Sequence, residues 1–170
     1  RIGKNSFPRG NYGIYANLSY KGFSANILFQ GATSRDMYIE DVVRGQSTGG
    51  YTMVYPYQLD YWMPDNTNAK FPRIAMNSSV NGNNNYVTSD FWLVNGRYIR
   101  LKSLQLGYDF RSVLLKNIKW LYKCQVVLSG QNLFTISPAT KYGFDPENGS
   151  TNNYDYPMQR VYAISLNLGF

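Results

Sequence analysis

The sequence predicts an all-β chain, about five antiparallel strands of a transmembrane β-barrel, and three observations lead there. The first is the last ten residues. Tyr162, Ile164, Leu166, Leu168 and Phe170 share one face, and Val161, Ala163, Ser165, Asn167 and Gly169 share the other, which is the period of two that a strand imposes. A large aromatic ends the apolar face, as suits a strand facing lipid with its last ring at the membrane interface. The second is where charge is missing. The windows 12–20, 23–33, 104–110, 124–134 and 161–170 contain one charged residue, Asp109, and its parity sets it opposite the apolar face. A Lys or Arg facing lipid near the midplane costs roughly 2–4 kcal/mol, so this exclusion carries information. The third is the alternation of connection lengths: two residues, then long, then moderate, then long. With Phe170 at the periplasmic end, the long loops fall outside and the shorter connectors inside.

Each element has its own local signal. Residues 12–20 alternate Tyr12, Ile14, Ala16, Leu18 and Tyr20 against Gly13, Tyr15, Asn17 and Ser19. Lys21-Gly22 is a tight turn into the strand 23–33, where Leu28 interrupts the polar face. Residues 34–97 form a connection far longer than usual, with short helices expected over 34–43 and 57–63 and with Pro56, Pro64 and Pro72 as breaks. Asn95-Gly96 supplies a turn before the strand 98–110. That strand changes parity: Ile99 and Leu101 share one face, whereas Leu104, Leu106, Tyr108 and Phe110 share the other. Either a bulge lies near Lys102 and Ser103, or the upper strand stands above the membrane against a loop. A basic connector over 111–123, with a helical turn expected over 112–117, leads to the strand 124–134. A polar loop over 135–158 precedes the final strand, 161–170.

Composition fits this reading. The chain has 170 residues, 16 of them Tyr and 9 Phe, and its apolar runs are too short to span a bilayer as a helix. A membrane would have to be crossed by strands. The net charge of +7 collects at strand heads and in the basic connector, away from the strand windows, so nucleic acid is not the expected partner. The single Cys124 forms no intrachain disulfide and reads as a small hydrophobe. Without His, neither a Ser-His-Asp site nor an imidazole metal site can be built from these residues. Asp145 and Glu147 make only a weak candidate for an acid/base or calcium pair. No enzyme activity, cofactor or metal is therefore expected. Five strands are too few to close a barrel, since small barrels begin near eight, so the chain reads as part of something longer.

The segments N-G-R-Y-I-R-L-K-S-L-Q-L-G-Y-D-F (95–110), V-V-L-S-G-Q-N-L-F-T (126–135) and Y-G-F-D-P-E (142–147), with the closing strand, resemble the C-terminal end of a SusC/RagA-type TonB-dependent outer-membrane transporter. W-M-P-D-N-T-N-A-K-F-P-R (62–73) and L-S-Y-K-G-F (18–23) extend the resemblance over nearly the whole chain. It implies a barrel of roughly 22 strands with a plugged lumen. It also implies import of oligosaccharides or peptides, driven by TonB beneath a SusD-like surface lipoprotein in the bacterial outer membrane. The plug and the TonB box would lie upstream of this chain. The closing strand, with Tyr162, Ile164, Leu166, Leu168 and Phe170, resembles the signal read by the barrel-assembly machinery.

Sugar recognition needs flat apolar rings beside hydrogen-bonding side chains, which makes Trp62, Trp92, Tyr154 and Tyr156 the candidate substrate contacts in the two long loops. Tyr and Trp also mark membrane interfaces, and Trp62 belongs to a motif that could fix loop packing. The alternatives to an importer are a soluble β-rich carbohydrate-binding module and a passive porin.

Overall fold

A computed structural model of the chain describes residues 7–39, 56–74, 84–85, 87–148, 156 and 158–170. In chain order the elements are β1 (Asn11–Tyr20), β2 (Phe23–Ala32), β3 (Asp36–Tyr38), β4 (Leu93–Asn95), β5 (Tyr98–Asp109), a single helical turn α1 (Phe110–Val113), β6 (Lys123–Ile136) and β7 (Val161–Gly169). They divide into two compact units, one built on 10–33, 98–136 and 158–170, the other on 1–9, 34–97 and 137–157.

The first unit is one antiparallel sheet in the order β1-β2-β5-β6-β7. Directly paired residues share a face, so the register shows which side chains lie together. Leu18 pairs with Ala25, Ala25 with Leu106, Leu106 with Leu128 and Leu128 with Ile164. Two residues further along, Ala16, Ile27, Leu104, Gly130 and Tyr162 form the next row. The opposite face carries Asn17, Asn26, Gln105, Ser129 and Ala163 in one row, and Ser19, Ser24, Gly107, Val127 and Ser165 in another. One side of the sheet is thus continuously apolar and the other largely polar.

The parity change in β5 is a bulge. Leu28 pairs with Ser103 while its neighbour Phe29 pairs with Leu101, so Lys102 is the extra residue. On the β6 side the register shifts at the same place: Leu101 pairs with Phe134, and Ser103 with Gln131. Asn132, in this interval, takes a left-handed φ of 52° and donates from its amide to the Gln159 carbonyl at 3.1 Å. The extra residue returns Ile99 and Leu101 to the face of Leu104 and Leu106. Phe29 and Phe134 flank Leu101 on that face, with ring centroids 6.2 Å apart.

Aromatics border the apolar face. Tyr12 and Tyr20 stand eight residues apart on β1, about 27 Å along the strand. For a strand tilted near 40° that is roughly 20 Å of height, close to the apolar band of about 25 Å in membrane barrels. Phe23 and Tyr108 continue the row of Tyr20, and Phe170 stacks on Trp120 at 5.6 Å. The connections at this end are the shorter ones. Lys21 and Gly22 turn with φ of 45° and 84°. After β5, Asp109 caps α1 by accepting from the Arg111 amide at 3.0 Å, and the Arg111 guanidinium donates to the carbonyls of Leu115 and Leu121. The helical turn begins at Phe110, slightly earlier than the sequence suggests.

Within this unit no second layer covers the apolar face. Ile14, Leu18, Leu128, Ile164 and Leu166 are all exposed. A sheet in a soluble domain buries its apolar face against another layer, so this one is built for an apolar surrounding.

Candidate functional site

The two long connections supply the second unit, which has a core of its own. β3 pairs with β4, placing Met37 opposite Val94. The expected helix over 34–43 is replaced, where the structure describes it, by strand: Met37 and Ile39 are both buried, a period of two rather than 3.6. Residues 40–43 lie outside the described residues. The helix expected over 57–63 is a single 3-10 turn, Pro56–Leu59, after which the chain extends so that Tyr61 bridges to Phe71.

Aromatic packing joins distant segments here. Phe71 stacks on Trp92 at 6.4 Å, Tyr57 meets both Phe71 and Tyr142 edge-on at 5.4 Å, and Phe144 lies buried in the same cluster. Phe144 is delivered by a 3-10 turn, Pro138–Tyr142, that Ser137 caps and that Gly143 ends at a left-handed φ of 76°. Arg35 fastens the following segment by donating to the backbone carbonyls of Pro146 and, at 2.6 Å, Asn148. Asp145 accepts from the Glu147 amide at 2.9 Å, a local loop cap. Segments 62–73 and 142–147 therefore meet in one core.

Against this core lies an open groove of about 590 Å³. Its apolar wall holds Trp62, Phe71, Pro72, Phe91 and Trp92; its polar lining includes Asn84, Asn85, Ser89, Lys70 and Arg73. The segment carrying Trp62 is set by the backbone: the Trp62 amide donates to the Phe71 carbonyl at 2.9 Å. Lys70 is held too. Its ammonium donates to the Tyr142 hydroxyl at 2.6 Å and lies 4.8 Å above that ring. The Lys70 amide and the Asn66 side chain both donate to the Asp60 carboxylate. The volume falls in the range of small-ligand sites.

No family model matches the chain. Two curated proteins of Formosa agariphila (strain DSM 15362 / KCTC 12365 / LMG 23005 / KMM 3901 / M-2Alg 35-1) do. TonB-dependent receptor P3 is 28% identical over 96% of this chain, and TonB-dependent receptor P39 is 27% identical over 93% of it. Its homologues are TonB-dependent receptors. The chain spans 16% of the length of each of these relatives. Among solved structures, the RagAB peptide importer in its closed-closed state matches all of this chain and 18% of its own, with a TM-score of 0.73 and 24% identity. The same importer in its open-open state matches with a TM-score of 0.71. TonB-dependent receptors are outer-membrane β-barrel proteins, and the five-stranded sheet has the fold of a segment of such a barrel.

The four predicted contact aromatics separate. Trp62 lines the groove and is 40% exposed. Trp92 borders the same groove but is 1% exposed, packed in the core with its indole nitrogen donating to the Asn85 carbonyl at 3.2 Å. Tyr156 is 79% exposed and is not among the residues that line the groove. Tyr154 lies outside the described residues. Phe91, 52% exposed and edge-on to Trp92 at 4.9 Å, is a ring that sequence reasoning passed over, as are the cations Lys70 and Arg73. Those cations flank Phe71 and Pro72 inside the segment 62–73, which also holds one carboxylate, Asp65.

Proposed function

We propose that the chain is the C-terminal wall of a TonB-dependent outer-membrane importer, with its apolar sheet face turned to lipid and its polar face to the lumen. The observation that carries this is the unbroken apolar face, uncovered by protein within its own unit and restored across the β5 bulge. Similarity to TonB-dependent receptors over nearly the whole chain supports the same reading. Loops 34–97 and 135–158 would then be extracellular, and Tyr162, Ile164, Leu166, Leu168 and Phe170 would form the barrel-closing strand read by the assembly machinery. The cargo would be an oligosaccharide, or a peptide as in the RagAB importer. A SusD-like lipoprotein would cover the outer face, and TonB would act through a plug encoded upstream.

Uptake of labelled oligosaccharides and peptides, compared in cells with and without TonB, tests this. Uptake that needs both this protein and TonB is the expected result. Uptake that persists without TonB would mean a passive porin. A water-soluble species with no heat-modifiable migration on gels would mean a soluble glycan-binding module.

A further inference from the structure

We infer that the groove beside Trp62 and Phe91 binds an anionic oligosaccharide, with Arg73 and Lys70 reading its acidic groups; this rests on the importer reading and names its cargo class. The groove offers two partly exposed rings, a surface on which the apolar face of a pyranose can lie. The Asn84 side chain beside them supplies both a donor and an acceptor for hydroxyls. Its charge has one sign: Lys70 and Arg73 line it, and among the described residues no carboxylate does. Asp60 is engaged by the Lys70 amide and by Asn66, and Asp65 and Asp90, in the segments that border the groove, are not among its lining residues.

The two cations divide the work. Lys70 is pre-set by Tyr142, which takes one of the three ammonium donors and leaves two for a ligand. Arg73 is exposed and presents a planar fork suited to a carboxylate or a sulfate ester. A peptide fits less well. Extended peptides usually add to a strand edge, whereas the lining residues lie in loops and in the 3-10 turn Asp90–Trp92, none of them in β3 or β4.

The test uses the full outer-membrane protein carrying this chain, purified in detergent, and measures its affinity for four probes of similar length. These are an oligogalacturonide (carboxylate), a carrageenan oligosaccharide (sulfate ester), a cello-oligosaccharide (neutral) and an oligoglutamate peptide. Expected is preference for one or both acidic glycans by about tenfold or more over the neutral one, with the preferred probe telling carboxylate from sulfate. Arg73→Gln should reduce that preference, the acidic glycans losing more affinity than the neutral one, with the remainder carried by Lys70. Trp62→Ala should weaken all the glycans about tenfold. Equal affinity for acidic and neutral glycans, insensitivity to both variants, or preference for the peptide would overturn the inference. Heat-modifiable migration is recorded on the same preparations, and TonB-dependent uptake in the cells that express the same protein. A folded, TonB-dependent barrel that ignores acidic glycans sinks this inference alone, whereas loss of heat modifiability or of TonB dependence in the wild type sinks the importer reading beneath it.

Discussion

Gly31 sits near the end of β2 on the apolar face, paired with Tyr12 on one side and Ile99 on the other. The Tyr12 side chain crosses above it and donates from its hydroxyl to the Tyr98 carbonyl at 3.0 Å, so a β1 ring ties down β5 over the top of β2. Only a residue without Cβ leaves room. A methyl group at position 31 would run into the Tyr12 ring and the Tyr98 carbonyl, both closer than any real Cβ tolerates. Gly31→Ala must therefore displace Tyr12. Overpacking costs about 1–3 kcal/mol, and the lost hydrogen bond about 1 kcal/mol. Taking about 2 kcal/mol as a working value, local opening becomes roughly 30-fold more frequent. Hydrogen exchange measured by mass spectrometry on peptides covering β2 and β5 reads this directly. Tyr12→Phe, which removes only the hydroxyl, should speed exchange about fivefold. In the double variant with Tyr12→Ala, Gly31→Ala should cost less than it does alone, because one of its two collisions is gone. Unchanged exchange in Gly31→Ala, or strict additivity with Tyr12→Ala, would refute the packing argument.

Three further outcomes are expected. Leu106→Lys on the apolar face of a central strand should lower the fraction of heat-modifiable barrel in the outer membrane, by a cost of about 2–4 kcal/mol, while Gln105→Lys on the opposite face should be tolerated. Gly22→Val should destabilise the β1–β2 turn by about 1–3 kcal/mol, since its φ is +84° and a Cβ there would meet the Val113 side chain at 2.7 Å and the Asp109 carbonyl at 3.0 Å; exchange of the Tyr20–Phe23 amides reports it. Arg35→Ala should remove two charge-assisted hydrogen bonds to the segment at Pro146 and Asn148, worth about 1.5–3 kcal/mol each, and hasten limited proteolysis near that segment.

What the sequence could show depended on whether a signal was local. Alternation in 12–20 and 161–170 was legible because each strand carries its own apolar face and charge is kept away from it. The parity change between Leu101 and Leu104 was visible, but its cause was not: a bulge is defined by the pairing of Lys102 against β2 and β6, and pairing is non-local. The same limit explains the expected helix over 34–43. Met37 and Ile39 take a strand period because β4, nearly sixty residues later, offers an edge and a core to fill. Trp62 and Trp92 look alike as loop aromatics, yet Trp92 was claimed by a core assembled from four separated segments while Trp62 stayed at a groove wall. Lys70 and Arg73 gave no periodic signal at all, and their place at the groove follows only from the fold of 62–73 back onto Phe71.

In the proposed barrel, one face of the sheet meets lipid along the whole of β5, across the bulge. A single-cysteine scan over Tyr98–Asp109, in a Cys124→Ser background of the full membrane-inserted protein, would test it by nitroxide accessibility to lipid-soluble oxygen and to a water-soluble nickel chelate. Expected are oxygen accessibility at Ile99, a phase slip at Lys102, then oxygen accessibility again at Leu104, Leu106 and Tyr108, with Ser103 and Gln105 reached only from water, while Arg100 and Leu101 are buried and report neither. A continuous alternation without the slip, or water access on both faces, would contradict it.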